Sequence, residues 1–331
     1  MSAFVDCIDD PTIPALRAVF NPPDLGEHLR QALPSQTEGL KEIKVRLLRH
    51  HVGKRCVVEI TLATMEGVRC LIGKAYAKDR SDVYRLMEEI SRAGFDPCEG
   101  FSIPRPTAYL QALQLLLQEK VEGRPATESF LSNNECERMA AAERCARWLA
   151  KFHALAHRAG ASTDLGSHLL SIEGWHRRLA SMGEPFAHKA HELFRRLEAA
   201  ASGLQPTEMC TIHGDYSHHQ VIFAQGRTVT CDWDSYRLAD SSRDVARFIV
   251  SLQRLALSSL GSIRALDSAA EVFLNTYVAI HRLDLTKRLA FQKAAVCLEH
   301  AKHDVHKQAQ GWRERAEKTL DQGLRVLEVA T

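Results

Sequence analysis

One stretch of this sequence concentrates side chains able to move a phosphoryl group. It runs His213-Gly214-Asp215, then Tyr216-Ser217-His218-His219-Gln220, and after a short interval Asp232-Trp233-Asp234. Phosphoryl transfer asks little covalent chemistry of a protein. It needs a carboxylate to accept or orient the acceptor hydroxyl, and oxygen ligands to hold Mg²⁺ against the phosphates. Asp215, Gln220 and Asp232 can supply both. The interval reads as two short strands, Val221 to Phe223 and Thr228 to Asp232, about a turn at Gln225-Gly226. The strands of a hairpin run antiparallel, so their outer ends meet and Asp232 returns to the neighbourhood of Gln220. His213-Gly214-Asp215 alone is no more than a common loop sequence; the hairpin and the downstream acids give it weight.

Two different textures flank this segment. From Ile43 to Tyr76 the pattern is β: Ile43 to Leu48, Cys56 to Leu62 with period-two alternation, and Val68 to Tyr76, with Gly53 and Gly67 in the turns. A helix is expected from Asp82 to Ala93, with Ser81 as N-cap, Gly94 as its stop, and Val83, Leu86, Met87 and Ile90 on one face. A further strand, Leu113 to Gln118, precedes Gly123. Beyond it the periodicity is mainly helical: Glu135 to His157, one or two helices in Trp175 to Ala201, Arg243 to Leu257, and several in Glu271 to Val329. The expected organisation is an N-terminal helical extension over 1–40, a β-rich nucleotide-binding lobe over 41–122, and a helical catalytic and substrate-binding lobe over 123–331.

His213 to Gln220 and Asp232 to Asp234 resemble the H-G-D-x-x-x-x-N and downstream I-D-W/F-D/E motifs of the aminoglycoside phosphotransferase and choline kinase-like family. Leu238 to Asp244 is similar to the family's G-D-P-x-x-D-L segment, and Leu149-Ala150-Lys151-Phe152-His153-Ala154-Leu155 to its L-A-x-L-H-x-L helix. The resemblance covers most of the chain. It implies an α+β, bilobal protein-kinase-like fold with a small antiparallel sheet lobe and a mainly helical lobe. It implies Asp215 as catalytic base, with Gln220 and Asp232 as Mg²⁺ ligands. Gln220 stands where the family usually has Asn; its amide oxygen lies one methylene further from the backbone, so ligation requires the loop to give way slightly.

The sheet lobe is expected to hold ATP. Lys74 shares an alternating strand face with Val68, Cys70, Ile72 and Tyr76, where a lone ammonium is costly and a phosphate relieves the cost. The alternative is an edge lysine that reaches water. Glu89, beside the apolar face of the following helix, is the candidate partner. The connection Gln118-Glu119-Lys120-Val121-Glu122-Gly123 resembles the family's hinge, which implies main-chain contacts to adenine at Glu119 and Val121. The turn at Gly53, with Lys54 and Arg55, is a weak phosphate-cover signal, since one glycine in a strand turn is ordinarily a turn residue.

Composition narrows the class. The 331 residues carry a formal charge of +2 with acids and bases intermixed, so no basic stripe is available to nucleic acid. No apolar run reaches a membrane span, and Met1 to Pro11 carries Asp6, Asp9 and Asp10 where a secretion signal would be basic and apolar. Nine cysteines without a C-x-x-C pair read as reduced thiols, which places the protein in the cytoplasm. His153 with His157, and His300, His303 and His306, have helical spacing but lack the acids or cysteines of a zinc site; ordinary helix-surface and packing roles are expected of them. The expected activity is ATP- and Mg²⁺-dependent phosphorylation of a hydroxyl on a small molecule such as a sugar or aminoglycoside. The alternatives are a weakly catalytic nucleotide-binding pseudokinase and a nucleotidyl transferase.

Overall fold

The computed structural model describes residues 10–281 and 285–329. The acids before Asp10, and Cys7, lie outside the described residues. The chain divides into two compact units, Met1–Glu122 and Gly123–Thr331.

The first unit begins with helices α1 (Leu16–Val19) and α2 (Pro22–Ala32), then strands β1 (Glu42–His51), β2 (Arg55–Ala63) and β3 (Val68–Tyr76). Helix α3 (Ser81–Ile90) follows, then β4 (Phe101–Ser102), β5 (Pro106–Leu110) and β6 (Leu115–Glu119). Five strands form an antiparallel sheet in the order β1-β2-β3-β6-β5. The period-two pattern of β2 is realised: Cys56, Val58, Ile60 and Leu62 are fully buried between half-buried neighbours. They pack on Ile13, Leu16, Val19, Leu25 and Leu29, so residues 10–40 supply part of the core of the sheet. On α3, Val83, Leu86, Met87 and Ile90 are buried as the spacing predicts. That helix starts one residue earlier than expected, because the Asp79 carboxylate, not Ser81, receives the first turn's N–H and hydroxyl. A widened turn follows it to Phe95, with Gly94 at φ 99°. Strand β5 was not anticipated; its Pro106 sits on the sheet's edge, where a missing N–H is tolerated.

The second unit starts with β7 (Gly123–Pro125), α4 (Ala126–Phe130), α5 (Glu135–Leu155), α6 (Leu165–Ala180) and α7 (Phe186–Ser202). It continues through β8 (Cys210–Ile212), β9 (Val221–Ala224), β10 (Arg227–Thr230) and β11 (Arg237–Ala239) to α8 (Ser242–Leu260), α9 (Asp267–His281), α10 (Thr286–Lys307) and α11 (Trp312–Val329). Two hydrophobic clusters hold it. One joins α6, α7, α10 and α11 through residues such as Ile172, Leu193, Phe291 and Leu320. The other is aromatic: Trp148 of α5 stacks on Phe152 and Tyr216, both α5 rings lie tilted against Trp233, and Tyr216 stacks in turn on Phe248 of α8. Helix α6 begins ten residues before the expected Trp175; Asp164 caps it by accepting from Ser167 N–H, while Gly166 and Gly174 blur its periodicity. Among the described residues no helix is long and apolar enough to cross a membrane, and all eight described cysteines are free thiols.

Candidate active site

Strand β8 ends at Ile212 and hands the chain to His213 beside β11, its antiparallel partner. Gly214 then turns with φ 80°, and a Cβ there would lie 2.1 Å from the Ser235 carbonyl oxygen. Only glycine lets the two segments approach this closely. The ring of His213 donates from Nε2 to the Cys231 carbonyl at 2.9 Å, and its Nδ1 accepts the Asp215 N–H at 3.3 Å, which fixes one tautomer. At the other end of the loop, Cys231 N–H donates to the Gln220 carbonyl at 2.7 Å. The β9–β10 hairpin, with Thr230 opposite Val221, makes that closure possible. Both ends of the His213–Gln220 loop are thus tied to the residue immediately before Asp232. Asp232 itself adopts φ 64°, ψ 69°, a left-handed conformation rare outside glycine and concentrated at functional positions. Asp234 follows in the short helical turn Trp233–Ser235, half-buried.

A buried carboxylate holds the front of the loop. Asp244, 1% exposed in the first turn of α8, accepts the N–H groups of His213 (2.7 Å) and Gly214 (2.9 Å), and His153 Nε2 of α5 approaches to 3.3 Å. Nδ1 of His153 meets the Tyr277 hydroxyl at 2.8 Å. Burial works to raise the Asp244 pKa, but the hydrogen bonds from His153 and from the His213 N–H outweigh it and leave the carboxyl below its ordinary value. Underneath, Tyr216 is fully buried and donates its hydroxyl to the Cys145 carbonyl. His218 is buried against the Thr127 hydroxyl, and burial with the adjacent His219 pushes its pKa down to about 3.

On this frame Asp215 is presented to solvent, with its side chain 42% exposed. One oxygen accepts from Gln220 Nε2 at 3.3 Å, the other from Arg247 Nη1 at 3.2 Å. Arg247 is itself 12% exposed and bonds Glu299 of α10 through its other nitrogen. Gln220 spends its amide nitrogen on Asp215, so oxygen is the atom it can offer a cation. Arg247, Glu299 and the bracing role of His153 were not found by sequence reasoning. Arg247 lies three residues after Asp244, which puts both on neighbouring positions of one helix face, the one signal that could have indicated it.

In the first unit, Lys74 is 6% exposed, opposite Val57 and Leu116 in the sheet. The main core lies on the other face, with Leu71 and Ala75. Lys74 therefore sits where the alternation puts it, as a buried cation off the apolar core. Glu89 is exposed, whereas Glu88 is half-buried and accepts from the Tyr84 hydroxyl; the structure does not bring Glu89 into a buried site. Glu119 ends β6, with its N–H donated to the Arg105 carbonyl and its carboxylate accepting the Arg105 N–H. A base contact at Glu119 would therefore use the carbonyl. Val121 is half-buried, beside Lys120, which pairs with Glu59 and Glu122. The turn at Gly53 is tied back by its N–H to the buried Asp10 carboxylate. Of the α10 histidines, His300 and His303 are half-buried and His306 is exposed; burial drives His300 well below its usual pKa, and no cluster of three His, Cys, Asp or Glu among the described residues could hold a metal.

Comparison with known proteins bears on the fold and the family. No curated protein sequence matches the chain. Among solved structures it is similar to a glucosamine kinase in complex with glucosamine, ADP and inorganic phosphate, with a TM-score of 0.66, 16% identity, and 92% of this chain and 86% of that chain covered. A choline/ethanolamine kinase family protein from Mesorhizobium loti gives 0.64 and 15%, covering 92% and 94%. A thermostable mutant of an aminoglycoside phosphotransferase gives 0.62 and 12%, covering 92% and 99%. At these identities the likeness is one of fold: the α+β, protein-kinase-like architecture with an antiparallel sheet unit and a helical unit. The family model described as the phosphotransferase enzyme family matches residues 69–285, from β3 through the whole catalytic loop to the start of α10. With well over half its length matched, this chain belongs to the phosphotransferase enzyme family.

Proposed function

We propose that the protein is an ATP- and Mg²⁺-dependent kinase that phosphorylates a hydroxyl of a small molecule, with Asp215 as the group that receives the hydroxyl proton. The observation that supports it is the setting of Asp215: a solvent-reachable carboxylate, each oxygen oriented by one donor, on a loop whose two ends are bonded to the Asp232 segment. Gln220 and Asp232 offer an amide and a carboxylate oxygen, the hard donors that suit Mg²⁺, which completes its shell with phosphate and water oxygens. They would hold the ion, which when bound neutralises phosphate charge. Lys74 would grip phosphates, and the main chain at Glu119 and Val121 the base.

The acceptor oxygen forms a bond to the γ-phosphorus as the bond from that phosphorus to the β–γ bridging oxygen breaks. ADP leaves with the electron pair. The hydroxyl proton passes to the Asp215 carboxylate and from there to water. Arg247 acts as a positioning residue, holding the carboxylate that its guanidinium touches.

The test follows ADP release over a panel of hydroxylated metabolites, with mass spectrometry of the acceptor. Asp215→Asn is expected to bind Mg-ATP yet lose turnover by about 100-fold or more, since an amide bonds but takes no proton. Asp232→Ala should abolish turnover in a folded protein, and Gln220→Ala should raise the Mg²⁺ requirement. Full activity in Asp215→Asn sinks the assignment. Pyrophosphate release with an AMP adduct would replace phosphoryl by nucleotidyl transfer, and nucleotide binding without any product would leave a pseudokinase.

A further inference from the structure

Two adjoining cavities open in the helical unit beside the catalytic loop. The smaller, of about 40 Å³, is lined by Gly214, Arg237, Arg243, Arg247, His168 and Gln292 among others. At roughly 10–15 Å³ per water it holds on the order of three waters, the bulk of a carboxylate or of a phosphate's terminal oxygens. The larger, of about 340 Å³, shares His168, Arg243 and Gln292 with it and is large enough for a small metabolite. Arg247 connects the smaller cavity to Asp215 by direct hydrogen bond.

The formal charges lining the two cavities balance: Arg237, Arg243, Arg247 and Arg288 against Asp164, Asp240, Asp244 and Glu299. Their partners do not. Asp164 accepts from Ser167 N–H, Asp240 from Arg288 and Ser242, Asp244 from the two loop N–H groups, and Glu299 from Arg247. Every carboxylate has its donor. Arg237 donates to the Ser235 carbonyl and has no carboxylate partner among the described residues; nor has Arg243, whose Nη1 is buried without any hydrogen bond. Burial and the neighbouring Arg237 lower the Arg243 pKa to about 10. Burial, then Arg243, Arg237 and Arg247, drive His168 well below its usual value. Gln292, only 3% exposed, also has a buried Oε1 with no hydrogen-bond partner. A guanidinium shielded from water without an acceptor is a standing cost, and an oxyanion beside it removes that cost.

We propose that the smaller cavity is the subsite for an anionic group of the acceptor, gripped by Arg243 and Arg237. The acceptor is then a hydroxylated carboxylate or a sugar phosphate, lying in the larger cavity with Gln292 receiving one of its hydroxyls. Polycationic acceptors are disfavoured, because like charge would face two uncompensated guanidiniums. The inference rests on the reading of Asp215 as the proton acceptor.

Calorimetric titration at constant ionic strength tests it, using glucose, gluconate, glucose 6-phosphate and inorganic phosphate on protein saturated with Mg-ADP. At least one of gluconate and glucose 6-phosphate should bind about tenfold or more tighter than glucose, and inorganic phosphate alone should also bind. Which one binds separates a carboxylate from a phosphate ester. Arg243→Gln, and independently Arg237→Gln, should bring the anion within about twofold of glucose, while Arg195→Gln, on exposed α7 surface, keeps the preference. Thermal unfolding confirms that each variant is folded. Anions that bind no tighter than glucose, or a preference that survives both substitutions, would each overturn the proposal. The first step of the same titration reads Mg-ADP binding; its absence would overturn the phosphotransferase reading itself, whatever the anions do.

Discussion

Replacing Asp244 by asparagine should loosen the His213–Gln220 loop from behind. Its two oxygens carry three donors: Oδ2 takes the His213 N–H and His153 Nε2, Oδ1 the Gly214 N–H. An amide offers one oxygen and one NH₂, so the NH₂ must face a donor and orphan it. A buried unpaired N–H costs roughly 1–3 kcal/mol, and the remaining charge-assisted bonds weaken by about 1 kcal/mol. Relief from burying a charge offsets part of this, but the carboxyl's lowered pKa shows that the folded state favours the ionised form. The expected loss is about 2–4 kcal/mol, a large share of the ~5–15 kcal/mol that holds a typical domain. The sign with pH follows. The folded pKa lies below the unfolded value of about 4, so the contribution is present above pH ~4 and is lost as pH falls through the folded pKa. All four tryptophans, Trp148, Trp175, Trp233 and Trp312, lie in the second unit, so tryptophan fluorescence during urea unfolding reports that unit. A variant within ~0.5 kcal/mol of the parent with unchanged turnover would refute the claim that Asp244 holds the loop.

Lys74→Ala should weaken ATP use by about tenfold or more through lost phosphate positioning; unchanged nucleotide kinetics would make Lys74 a structural lysine. His218 is neutral in the fold, with a pKa of about 3 against ~6.5 unfolded, so its contribution is complete above pH ~6.5 and is lost as pH falls. Lowering pH from 7 to 5.5 should cost about 1 kcal/mol through this residue, and urea titrations at both pH values should show His218→Gln free of that increment. An equal pH dependence in the variant would place the acid sensitivity elsewhere.

The legible parts of this molecule were those in which local chemistry and local geometry coincide. Strand β2 alternates because one face meets a core, and α3 shows its stripe for the same reason. His213 to Asp234 was readable because a hairpin is a short-range device that fixes where both ends go. What stayed hidden is long-range. Arg247 touches Asp215 across 32 positions and Glu299 across 52, and no periodicity predicts which helix faces meet. The packing of residues 10–40 under the sheet was equally invisible, since an amphipathic helix declares that it packs without declaring on what. The same logic explains why motif reading says so little about the acceptor. The two cavities are built from the start of α6, the segment before β8, and the facing sides of α8 and α10. Each contributes several side chains that nothing in its local sequence marks out. Only their convergence brings Arg237 and Arg243 together without a carboxylate partner among the described residues, so the proposed anion subsite rests on packing that no single segment declares.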